Sequence, residues 1–223
     1  MYITKIPAFL HSLYPDYIWR YKTPSKELYL TFDDGPTPGI TEWVLDQLSQ
    51  YQAHATFFMV GENVRKHPEI AHKVIDAGHE VGNHGQTHKN GWKTDIKTYL
   101  KDVLLGHQTL MEYTGLQTVL FRPPYAKITG SQAKSILRTH EVVMMDVISG
   151  DFDKNLSGEE CYLNVVKNAS AGSIVIFHDS QKAWQRLEKV LPLVLRKYHE
   201  EGYQFKNIVP QREFQYELKG PIV

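Results

Sequence analysis

One cysteine, Cys161, stands in a chain of 223 residues. No internal disulfide can form, so stability must come from packing, which fits a reducing compartment. Net charge is missing as well. The 25 Lys plus Arg balance 25 Asp plus Glu, and no basic run marks a phosphate-tracking surface. That argues against a nucleic-acid partner. No apolar run approaches a membrane span; Val142–Met145 and Ile174–Phe177 are among the longest. Between Met1 and Tyr21 the apolar residues are interrupted by Lys5, Pro7, His11, Pro15 and Asp16, unlike a secretory signal. A cytoplasmic monomer is therefore expected, with action outside the cytoplasm still compatible. Repeats, low-complexity stretches and linkers are also lacking. The simplest organisation is an N-terminal segment, 1–27, packed on one main domain, 28–223. Phe9, Leu10, Leu13, Tyr14, Tyr17, Ile18 and Trp19 would dock that segment, or give it peripheral contact with a membrane surface.

What the chain does have is alternation. Strand-like stretches are expected at 28–32, 55–60, 80–83, 119–121, 141–145, 173–177 and 203–206. Helix-like stretches are expected at 41–50, 68–77, 95–113, 131–139, 158–169 and 184–201. Pro68 suits a first helical turn, Ser157 a cap, and Gly115 a helix end. About seven strands alternating with helices predict an α/β fold with a parallel sheet, either a barrel or an open doubly wound sheet. In both, chemistry gathers at the carboxyl ends of the strands.

Polar residues recur at those ends. Asp33 and Asp34 follow the first strand, His84 the third and Arg122 the fourth. Asp146 and Asp151 follow the fifth, and His178 and Asp179 the sixth. One composite site is the expectation. His84 and His88 have the four-residue spacing of one helix face. The Glu of a metalloprotease helix is missing between them, so that chemistry is excluded. Two imidazoles and the Asp34 carboxylate would hold one divalent ion and leave positions open. Zinc is the default; cobalt, manganese, iron and nickel fit the same donors. Successive strand residues point to opposite faces, so Asp33 and Asp34 converge only if the chain turns at Gly35-Pro36. Their alternative role is capping that turn. His178 suits a general acid, or a structural histidine at the end of a buried strand. Arg122 suits a carboxylate clamp or a surface ion pair.

At this point the motifs resemble those of the polysaccharide deacetylases, the NodB-homology domain of carbohydrate esterase family four. The resemblance runs from about Leu28 to Lys206. It rests on Thr31-Phe32-Asp33-Asp34-Gly35-Pro36, His84-Gly85-Gln86-Thr87-His88, Arg122-Pro123-Pro124-Tyr125-Ala126, Ser149-Gly150-Asp151-Phe152 and Ile176-Phe177-His178. It implies a distorted parallel (β/α) barrel and hydrolysis of N-acetyl groups on an N-acetylglucosamine-containing glycan. It also implies roles. Asp33 is the base; Asp34, His84 and His88 are metal ligands. Arg122 steadies the base, and the Tyr125 N–H helps hold the oxyanion. Asp151 tunes the acid His178. Tyr125, Phe152 and Ile176 line the substrate.

Four positions depart from the family pattern. Gly85 replaces a Ser or Thr, Ala126 a Gly, Ile148 an Asp and Phe152 a Trp. They bear on substrate preference more than on the reaction, and they leave a glycan-binding pseudoenzyme as an alternative. Hydrolysis of another non-peptide C–N bond is a second. A non-haem iron oxygenase would share the two-His, one-carboxylate set, but the separate acid and base argue against it.

Overall fold

The computed structural model describes residues 3–212. Its strands are β1 (Tyr17–Ile18), β2 (Glu27–Asp33), β3 (Ala55–Met59), β4 (Glu80–Asn83) and β5 (Leu120–Phe121), followed by β6 (Glu141–Val143), β7 (Val147–Ile148), β8 (Ile174–His178) and β9 (Gln204–Phe205). They form one sheet in the order β1-β6-β5-β4-β3-β2-β8-β7, with β9 beside the start of β2. Every ladder between these strands is parallel.

Seven strands were expected and nine are present among the described residues. The strand expected at 141–145 ends as β6 at Val143, and after residues 144–146 the chain starts β7 at Val147. Those two strands lie toward opposite ends of the sheet order. A sheet whose ends are joined by so short a link must curl, which makes the architecture a distorted barrel rather than an open sheet. The N-terminal segment lies over the seam. Ile148 N–H donates to Thr4 O, and Ile6 N–H to Asp146 O, at 2.9 Å each. Beyond α1 (Ala8–Leu13), β1 pairs with β6 on the other side. At two residues β1 is too short for any periodicity to announce it.

Alternation along the strands makes two apolar layers. Leu28, Leu30 and Phe32 of β2 face outward with Phe57, Val175 and Phe177, under the helices. Phe32 stacks between Phe57 and Phe177, at ring separations of 5.0 and 5.8 Å; truncating such a ring to Ala costs about 3–5 kcal/mol. Tyr29, Phe58, Leu120, Val143, Met145, Ile174 and Ile176 fill the barrel. Thr31, Asp33 and His178 follow that inner row upward, so the strand period itself delivers polar groups to the barrel mouth.

The helices are α2 (Ile40–Ser49), α3 (Gly61–Lys66), α4 (Pro68–Asp76), α5 (Ile96–Thr114), α6 (Gly130–Ile136), α7 (Gly158–Val166) and α8 (Trp184–Glu200). Their ends have local causes. Asp95 caps α5 by accepting the Thr98 N–H, and Ser157 caps α7 in a reciprocal box with Glu160. The stretch expected at 55–60 was stopped at Gly61 and α3 was not expected; at six residues it carries little apolar period. Trp184 packs edge-on against Trp43, ring centroids 5.1 Å apart, within the outer core. It is a partly buried residue packed against that core.

Candidate active site

Asp33 ends β2 with its side chain buried, and its neighbour leaves the strand. The turn expected at Gly35-Pro36 begins one residue earlier, because Asp34 itself adopts φ 81°. A left-handed Asp is uncommon and tends to occur where function holds it. Here it lets two successive carboxylates reach one place. Asp179 secures the turn: its carboxylate accepts the Gly35 N–H at 3.1 Å and the Thr41 hydroxyl at 2.5 Å.

His84 follows β4, yet His84–His88 is a loop rather than a helix face. Gly85 at φ 78° and His88 at φ 56° break any helical path. The ring centroids still come within 5.0 Å. What shapes this loop is Asp102 of α5, which sequence reasoning did not single out. Its Oδ2 accepts the N–H groups of Gln86 and Thr87 at 3.0 and 3.3 Å, and its Oδ1 accepts the Thr87 hydroxyl at 2.6 Å. A Cβ on Gly85 would come 2.7 Å from Asp102 Oδ2. The missing Ser or Thr is therefore a steric requirement of this loop, and Asp102 supplies hydrogen bonds from the helix side.

One donor each from Asp34, His84 and His88 lies within 4.8 Å of the others. Asp34 Oδ1 is 3.1 Å from His88 Nε2 and 3.7 Å from His84 Nε2. It is buried without a hydrogen-bond partner. His84 Nδ1 sits 2.7 Å from the Arg122 carbonyl, so that nitrogen carries the proton and Nε2 keeps its lone pair. Burial lowers His84 to about 4, outweighing the raising effect of Asp33; the ring is neutral at pH 7, as a ligand must be. Burial alone would raise Asp34, but His88, His178 and His84 hold it below the usual carboxylate range. An orphaned carboxylate oxygen facing imidazole lone pairs fits a divalent cation.

Arg122 is fully buried, so the surface-ion-pair alternative is excluded. Its Nη1 donates to Asp33 Oδ1 at 2.8 Å and to Thr31 Oγ1 at 2.7 Å, and its Nη2 donates to Met144 O at 2.9 Å. Asp33 Oδ2 is left facing the cluster, 3.6 Å from His84 Nε2. On the opposite wall, His178 Nδ1 lies 2.8 Å from Asp151 Oδ1, and the His178 N–H donates to Asp151 Oδ2 at 2.7 Å. Burial would lower His178; Asp151 overrides it and, with Asp34 and Asp33, raises the imidazole to about 9. Asp33 and His178 thus stand on adjacent, paired strand ends, in register with each other.

Asp33 and the carboxylate-supported His178 thus flank a two-His, one-Asp cluster, in a chain that has relatives among known proteins. The polysaccharide deacetylase family model matches residues 20–144. A peptidoglycan-N-acetylglucosamine deacetylase of Bacillus cereus is 33% identical over 192 residues, covering 85% of this chain and 90% of that protein. The chain belongs to the polysaccharide deacetylase family. The peptidoglycan-N-acetylmuramic acid deacetylase PdaC of Bacillus subtilis is 30% identical over 82% of the chain, though that match spans 38% of PdaC. A crystal structure of the Bc1960 peptidoglycan N-acetylglucosamine deacetylase, bound to 4-naphthalen-1-yl-N-oxidanyl-benzamide, superposes with TM-score 0.84 at 28% identity. It covers 91% of this chain and 95% of that one.

The remaining family positions fall around the same mouth. Tyr125 is exposed, with its ring 4.5 Å from that of His88. It and Ala126 take φ 61° and 54°, so the Cβ of Ala126 does sit in a left-handed turn where glycine is unstrained. Phe152 stands edge-on to His178 at 5.2 Å. Ile176 lies one inward step below His178, paired with Ile148 of β7. Asp146 is the exception. Its N–H donates to Ile174 O at the start of β8, and it pairs with Lys5 at 2.8 Å. It belongs to the seam, not the site, because the run linking β6 to β7 passes the foot of β8 there.

Proposed function

We propose that this chain hydrolyses the N-acetyl group of an amino sugar in peptidoglycan, N-acetylglucosamine before N-acetylmuramic acid. The observation that carries the reading is the separation of roles. Asp33 and His178 end paired strands in register, with the Asp34, His84 and His88 donors beside them. When bound there, one divalent ion, zinc by preference for these donors, supplies Lewis-acid polarisation of the amide carbonyl and lowers the pKa of a water.

The protein's own groups do the rest. Asp33 Oδ2 accepts the proton of the attacking water, while Arg122 keeps the carboxylate oriented. The water oxygen bonds to the carbonyl carbon. The Tyr125 N–H is the donor assigned to the oxyanion, an effect worth about 3–4 kcal/mol for a well-placed group. His178, protonated through its pair with Asp151, gives its proton to the departing nitrogen as the C–N bond breaks. Acetate and a free amine are the products. Ile176 and Phe152 wall the acetyl end. A peptidoglycan substrate would place this action outside the cytoplasm.

Acetate release from a panel of peptidoglycan strands, chitin oligomers and N-acetylmuramic acid conjugates tests the reading. Release from the amino-sugar substrates, and a new free amine on N-acetylglucosamine, is expected. Tight glycan binding with no release from any member would instead favour the pseudoenzyme.

A further inference from the structure

The loop that carries His88 and the loop that carries Tyr125 are fastened together beyond the site. Gly91 N–H donates to Lys127 O at 3.2 Å, and the Gln132 amide donates to the Gly91 and Thr94 carbonyls at 2.9 and 3.0 Å. On the outer face of this seam stands Trp92, 65% exposed. Its indole N–H donates to Ile128 O at 3.1 Å, and the Lys127 ammonium lies 5.2 Å from the ring centroid. The ring is therefore fixed at its edge and beside a cation, although it lies largely in water.

An exposed tryptophan leaves a large apolar surface unburied, and a rigid one loses little entropy on stacking. Among the described residues the large exposed aromatics are Phe9, Tyr14, Trp92 and Tyr125, and half of them lie on these two fastened loops. Trp92 is four residues from His88, so their Cα atoms are at most about 14 Å apart. Lys127 is two residues from Tyr125. The surrounding segment is basic in an otherwise neutral chain. Lys89, Lys93, Lys97 and Lys127 meet one acid, Asp95, and that carboxylate is engaged in capping α5.

We propose that Trp92 and Lys127 form a subsite for a neighbouring, carboxylate-bearing sugar of the glycan. The sugar's apolar face would stack on the indole, and its carboxylate would meet the Lys127 ammonium. The subsite rests on the glycan reading above, and it selects an acidic strand over a neutral one.

Two glycans test it: strands with free lactyl carboxylates, stripped of their peptides, and a neutral N-acetylglucosamine oligomer. The wild-type chain should favour the carboxylated strand in kcat/KM. Lys127→Met should shrink that preference about tenfold, chiefly through KM and most clearly at low salt. Trp92→Ala should raise KM about three- to tenfold, and Trp92→Phe, which keeps a ring, should recover part of the loss. An unchanged preference in Lys127→Met overturns the acidic assignment; unchanged KM in both tryptophan variants overturns the subsite. If the wild type releases no acetate at all, the deacetylase reading fails separately. Titration of the same strands against indole fluorescence, with Lys127→Met as comparison, then decides the subsite by binding alone.

Discussion

Asp33 and Asp34 share a residue type and a position, and their surroundings give them different chemistry. Asp33 is clamped by a buried guanidinium at 2.8 Å; Asp34 has an oxygen with no hydrogen-bond partner beside two imidazoles. Asp33→Asn should lower kcat by about 10²–10⁴-fold while metal stoichiometry stays at the wild-type value, read by elemental analysis beside turnover. Loss of metal with loss of turnover would assign Asp33 to the ion instead. His178 makes a pH prediction. Its imidazole is raised to about 9, with Asp151 overriding the lowering effect of burial. A general acid works while protonated, so activity is present below that value and falls as pH rises through it. A bound cation offsets the parts due to Asp34 and Asp33, which leaves the basic limb between 6.5 and about 9. In Asp151→Asn, the largest raising partner is gone and the limb should move to lower pH. A pH–rate profile of kcat/KM reads the shift; an unmoved limb would remove Asp151 from its role.

At the scale of elements, α5 supports the metal loop from behind through Asp102. Asp102→Ala would strip the carboxylate from the Thr87 N–H and hydroxyl, leaving Gln86 N–H only its bond to the residue-102 carbonyl. It should weaken metal binding about 10–100-fold, as loss of an outer support does, and a chelator competition would measure this. Ala126→Gly should do the reverse for stability, raising it by about 1 kcal/mol, because φ 54° is unstrained for glycine; denaturant midpoints test it. These two residues show where sequence reasoning reaches and where it stops. Asp33, Arg122 and His178 were legible because each ends an apolar strand, and the strand period aims it. Ala126 was legible as a departure from a family glycine, but its positive φ was not. Asp102 was not, since it sits inside an amphipathic helix and its partners are backbone N–H groups far back in the chain. The His84–His88 spacing pointed to a helix, but five residues can also meet through two left-handed positions, and spacing alone does not separate the two paths.

The whole molecule is a curled sheet whose closure depends on a short link. Residues 144–146 join strands at opposite ends of the sheet order, and the N-terminal segment ties the seam through Lys5 and the buried Asp146. Lys5→Met removes the closer of the two cations on that carboxylate and should destabilise the fold by about 1–3 kcal/mol, visible as a lowered denaturant midpoint. Parallel alternation and its strand-end chemistry were readable from the sequence. Closure came only from the family resemblance and not from the pattern, because β1 and β7 are two residues each. That closure brings Asp33, Asp34, His84, His88 and His178 of this deacetylase to one mouth. The direct test is acetate release from peptidoglycan strands by chelator-stripped protein titrated with zinc. Activity should be absent at the start, rise linearly and break at one ion per chain. Full acetate release by the stripped protein, or none at any zinc level, would contradict it.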